Sequence, residues 1–129
     1  MTLSVHPVNW QFRWCLILSA SVTGGVLGLF FDRPNFLGGY GSFRRRLFRL
    51  GHVAQAALGM LNLLYALGPA ETSPSWTGQA ASVCFLTGGL AMPLVCFLTG
   101  WRPGFRHLFP VPVVALVLAV LFTLRGGLP

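Results

Sequence analysis

Four long stretches without a formally charged side chain dominate this sequence. They run over 14–31, 50–67, 79–99 and 108–124, with His52 at the rim of the second. Each has about the 17–25 residues that a helix needs to cross a hydrocarbon slab. Only 9% of the 129 residues are charged and 54% are hydrophobic, whereas roughly a quarter of the residues of a soluble domain are charged. Four helices of a soluble bundle would carry polar outer faces, and these stretches mostly lack them. The expected fold is therefore all-α: a single transmembrane domain over 1–129, built as an integral membrane four-helix bundle of two helical hairpins.

The basic residues set the expected orientation. All nine are arginine, and the net charge is +7. Arg33, Arg44, Arg45, Arg46 and Arg49 fall in the loop 32–49, and Arg102 and Arg106 in the loop 100–107. Arg13 and Arg125 lie toward the other side, and the loop 68–78 holds Glu71 and no arginine. The positive-inside rule then puts both basic loops in the cytoplasm and both termini outside, across a bacterial cytoplasmic (inner) membrane. Arginines placed this way meet anionic lipid headgroups, and nucleic acid is not expected as a partner. The segment 42–49, with Phe43, Leu47 and Phe48 among its arginines, reads as a short amphipathic helix on the inner leaflet that holds Arg44, Arg45, Arg46 and Arg49 against lipid. The glycines at 38, 39 and 41 suggest a phosphate loop, but no strand–loop–helix pattern surrounds them. The first apolar stretch is longer than a signal-peptide core and ends in Phe30-Phe31-Asp32, so it is read as retained.

Within the second stretch the small and polar residues share one helical face. His52, Gln55, Gly59, Asn62 and Ala66 are spaced 3, 4, 3 and 4 apart, the period of a seam packed on a neighbouring helix. Lipid accepts the leucines on the rest of the circumference, but an amide or imidazole needs a partner inside protein. Interhelical hydrogen bonds, worth roughly 0.6–2 kcal/mol each, are the first expectation for Asn62 and Gln55. Thr23 and Thr87 are placed at a depth similar to that of Asn62. Further small-residue faces are expected from Ser21, Gly24 and Gly28 with Gly25 adjoining, from Ala81, Cys84, Gly88 and Ala91, and from Ala115 and Ala119. Pro93 is expected to kink the third helix. Trp10, Trp14, Trp76 and Trp101 sit near the expected boundaries, as interfacial anchors do.

Chemistry is sparsely signalled. The carboxylates Asp32 and Glu71 are assigned to opposite sides of the membrane, which leaves no acid–base pair. Neither a His-Glu-x-x-His zinc site nor a Gly-x-Ser-x-Gly turn is present. Cys15, Cys84 and Cys96 lack metal-ligand spacing, and a Cys15–Cys84 disulfide is the less favoured reading beside small buried hydrophobes. His52 and His107 both fall near the basic end, where two imidazoles across a bundle suit a b-type haem. In size and helix count the chain is similar to small multidrug-resistance transporters, but their first-helix glutamate has no counterpart in 14–31. The sequence thus leads to a non-enzymatic accessory, assembly or structural subunit of a larger membrane complex, bound to lipid and to other membrane proteins or its own copies. No cofactor is expected for that role. The alternatives are a haem- or quinone-binding electron carrier centred on His52, and a small channel or carrier along Gln55 and Asn62.

A short echo links the halves. Thr23-Gly24-Gly25 before Arg33-Pro34 resembles Thr87-Gly88-Gly89 before Arg102-Pro103, with unequal spacing between the two motifs. The hexapeptide VCFLTG also recurs, at 83–88 and 95–100. Its 12-residue offset turns the copies about 120° apart on a helix, so they form no common stripe.

Overall fold

The computed structural model describes residues 7–68 and 75–127. It contains four α-helices: α1 (Pro7–Leu29), α2 (Phe43–Ala66), α3 (Trp76–Trp101) and α4 (Pro110–Gly127). Short 3-10 turns at Phe36–Gly38 and Pro103–Leu108 complete the two basic connections. Four helical stretches are long and apolar enough to span a membrane: Val8–Leu29, Phe43–Ala66, Trp76–Trp101 and Pro103–Gly126.

Three of the helices begin earlier than hydropathy alone predicts, α4 begins two residues later, and capping explains two of the early starts. Ser42 is extended, and its hydroxyl accepts from the Arg45 backbone N–H, so α2 starts at Phe43. Serine in that position satisfies a donor that the helix itself leaves open. The segment expected as a separate amphipathic helix is instead the first two turns of α2, whose arginines are good helix formers. Ser75 caps α3 in the same way through the Gly78 N–H. Pro110 opens α4, where a missing N–H costs nothing.

Neighbours in sequence are neighbours in space. α1 packs along α2, α2 along α3 and α3 along α4, while α1 meets α3 over a small area. Among the described residues α4 touches no helix other than α3. The two expected hairpins form, but the bundle is open, and α4 is attached from one side.

Close approach at glycine sets both hairpins. A Cβ at Gly24 would stand 2.6 Å from the His52 ring, and one at Gly88 would stand 2.5 Å from Leu116 Cγ. In each hairpin the seated side chain comes 28 residues after its glycine, by residue number (52 − 24 and 116 − 88). The echo between the two Thr-Gly-Gly motifs thus has a geometric counterpart. The rest of the expected first-helix face does not pack: Cβ atoms at Gly25 or Gly28 would meet nothing within 4 Å, and Ser21 is exposed. On the other helices Ala81 and Ala119 are fully buried, and Pro93 lies buried inside α3.

Replacing Gly88 by isoleucine should force α3 and α4 apart, at about the 1–3 kcal/mol typical of overpacking. In detergent this should appear as a lowered melting midpoint. Gly25→Ala, at an open position, should leave the midpoint unchanged.

Candidate functional site

Two polar clusters fasten α1 to its neighbours. The first lies near the amino end of α1. Asn9 Nδ2 donates to Asn62 Oδ1 at 3.0 Å, and the Ser82 hydroxyl donates to Asn9 Oδ1. Asn62 Nδ2 turns back to the carbonyl of Leu58 at 3.0 Å and reaches that of Phe85 at 3.4 Å. Asn9 and Asn62 are both fully buried. One side chain from each of α1, α2 and α3 therefore meets in a closed amide–hydroxyl knot. Asn62 does not share a level with Thr23: it bonds Asn9 and the carbonyls of Leu58 and Phe85, while Thr23 sits in the other cluster and Thr87 is exposed.

The second cluster joins α1 and α2 toward the basic end. Thr23 donates to Gln55 Oε1 at 2.7 Å, and Gln55 Nε2 donates to the Ser19 hydroxyl at 3.1 Å. The Ser19 hydroxyl donates to the Leu16 carbonyl at 2.8 Å. His52 Nδ1 lies 3.3 Å from Thr23 Oγ1. Thr23 Oγ1 also lies 2.9 and 3.1 Å from the Ser19 and Ala20 carbonyls, so its single proton has three acceptors in reach and does not fix the His52 tautomer. The result is a hydrogen-bonded chain linking His52, Thr23, Gln55, Ser19 and a backbone carbonyl. A primary amide in its middle relays protons poorly, so the chain suits fastening better than conduction.

The remaining seam residues serve packing. Gly59 admits Ile17 and the Arg13 carbonyl, at 2.9 and 3.4 Å from a would-be Cβ, and Ala66 is 1% exposed. The two histidines are not brought together. His52 lies over Gly24 of α1, with Nε2 3.1 Å from a would-be Cβ. His107 is exposed on the turn Pro103–Leu108, which contacts α3 and α4 alone. Among the described residues no three His, Cys, Asp or Glu side chains gather as a metal site. Cys15, Cys84 and Cys96 are all free thiols, so the Cys15–Cys84 bridge does not form.

Three of the four arginines expected to face lipid also have partners within the protein. Arg45 is 2% exposed, and its Nη2 and Nη1 donate to the carbonyls of Phe31 and Arg33 at 2.7 and 3.2 Å. Its guanidinium stacks 4.0 Å over the ring of Tyr40, whose hydroxyl also donates to Phe31 O. A cation at the carbonyl end of α1 also meets the negative end of that helix. Arg44 Nε donates to Gly100 O near the end of α3, and Arg46 Nη2 to Gly41 O. Arg49 is exposed. The glycine segment is thus wrapped around Arg45, with Gly38 and Gly39 at φ 88° and 100°. Ser42 is occupied as the α2 cap, and its hydroxyl donates to Leu37 O.

Asn9, Arg13, Ser19 and Ser82 are not among the residues expected from the sequence. Asn9, Arg13, Leu16 and Ala20 are all buried and are spaced 4, 3 and 4 apart, the same seam period as on α2. The pattern is hidden because its first two members precede the hydropathy boundary at residue 14. Compared with protein-family models, with curated proteins and with solved structures, the chain matches none.

Asn62→Leu should strand the Asn9 amide and cost about 1–3 kcal/mol of stability. A double-mutant cycle with Asn9→Leu checks the coupling: the double variant should recover part of that loss, measured as melting midpoints in detergent.

Proposed function

We propose that this chain is a four-span integral membrane protein serving as a non-enzymatic accessory or assembly subunit of a larger membrane complex. The observation that carries the reading is the mounting of α4. It docks on α3 alone, and Val113, Val117, Val120 and Leu124 stand exposed along one face at helical spacing. The amides that a channel or carrier would line its path with are bonded between helices. The interior amides are thus occupied while apolar outer faces remain open to lipid or to another protein.

In this reading both basic connections face the cytoplasm of a bacterial cell and both termini face outward. The cytoplasmic side keeps Arg33, Arg49, Arg102 and Arg106 exposed, able to meet anionic headgroups. A carboxy-terminal alkaline phosphatase fusion should then be active, and the matching green-fluorescent fusion dark. The opposite pattern overturns the orientation.

Solubilisation from the native membrane in mild detergent tests the subunit role. The chain should migrate with a defined set of membrane proteins, and Val117→Trp or Val120→Trp should release it. A chain that elutes alone and folded, with lipid only, removes the accessory reading. The same preparation tests the electron-carrier alternative, for which a Soret band lost in His52→Ala is the required result.

A further inference from the structure

Two arginine side chains are buried among the described residues, and they are satisfied in opposite ways. Arg45 is surrounded by carbonyl acceptors. Arg13, in α1, is 1% exposed, yet its Nε and Nη1 have no hydrogen-bond partner. The Trp10 ring centroid lies 3.0 Å from its guanidinium carbon, and that of Trp14 lies 5.0 Å away. Aromatic rings cover the face of a guanidinium, but its N–H groups point outward in its own plane and still need acceptors. A permanent cation in an apolar slab without a counter-charge is costly, and such a residue marks a site whose partner should be sought.

The described fold does not provide that partner. Its one carboxylate, Asp32, follows the far end of α1, and Glu71 lies outside the described residues. Asn9, one turn before Arg13, is already bonded to Asn62 and Ser82. Long helical side chains lean toward the amino end of their helix, so the guanidinium points to the end where α1 begins. Trp10 and Trp14 are partly exposed there, at 38% and 53%, as aromatic residues at headgroup level are. A guanidinium between such rings matches a phosphate oxyanion in charge and in hydrogen-bond direction.

We propose that Arg13 is the ligating residue of a phosphate-binding site at the amino end of α1, with Trp10 as its cover, occupied by a lipid phosphodiester or a free phosphate. The site rests on the chain spanning a membrane with this end near one interface. A chain that fractionates away from membranes fails that premise, whereas a folded membrane chain without the response below fails the site alone.

The test is the melting midpoint of detergent-purified full-length chain titrated with dioctanoyl phosphatidylglycerol, with dioctanoylglycerol as the phosphate-free blank. The wild-type midpoint should rise with the phospholipid and not with the blank. Arg13→Gln should weaken the apparent dissociation constant at least ~tenfold, which is about 1.4 kcal/mol. Trp10→Glu sets a carboxylate over the guanidinium; it should keep the fold and abolish the response, which guards against an Arg13→Gln chain that fails to fold. Arg125→Gln, which removes an exposed arginine in the last turn of α4, should respond as wild type. Inorganic phosphate that competes with the lipid response identifies a solute as the source, and phosphate without effect identifies the headgroup. A wild type that responds equally to the blank, an Arg13→Gln or Trp10→Glu chain that keeps the full response, or an Arg125→Gln chain that loses it overturns the proposal.

Discussion

An amide buried among apolar helices has to find its acceptors and donors inside the protein, and the arrangement of α1, α2 and α3 follows from how Asn62 does so. Its oxygen takes the Asn9 amide, and its nitrogen faces the carbonyls of Leu58 and Phe85. Rotating α2 by one residue would break the bonds from Asn62 to α1 and α3 together. Burial of apolar surface holds helices close but is nearly indifferent to their rotation. Directional bonds select one rotation. The second cluster, from His52 to Ser19, applies the same restraint two turns away along α2, so the α1–α2 interface is pinned at two levels.

The basic end is organised by a different economy. Among the described residues no carboxylate balances Arg45, yet the side chain is buried. Backbone carbonyls of Phe31 and Arg33, in the connection after α1, accept its hydrogen bonds, and Tyr40 covers its face. The connection 30–42 is thereby folded around a cation instead of trailing between helices. Leu37 and the two glycines after it adopt positive φ to make the turn possible. Arg44 and Arg46 bind carbonyls as well, so the cluster does structural work in addition to any it does toward lipid.

What could be read from the sequence, and what could not, divides along a physical line. Hydropathy marks the four helices because the apolar stretches are long and uninterrupted. The 3–4 spacing of His52, Gln55, Gly59, Asn62 and Ala66 marks the inward face of α2, and four of those five are buried while His52 is half-buried. Partner identity is another matter. A period names a face but not what lies opposite, so the spacing does not reveal that Asn62 meets Asn9 and not Thr23. Hydropathy also places helix starts where polarity falls, whereas Ser42 starts α2 through a hydrogen bond, with four arginines inside its first two turns. Arg13 was missed for the same reason, since it lies on the polar side of a boundary that the helix does not respect.

The one-sided attachment of α4 bears on how the molecule is made. As the chain emerges from the ribosome, every interhelical side-chain bond of both clusters can close once α3 has been synthesised, because none uses a residue beyond Phe85. The last helix arrives at a finished three-helix unit and adds to it by fitting Leu116 over Gly88. Assembly is thereby vectorial, and the final step is the one that depends on shape alone.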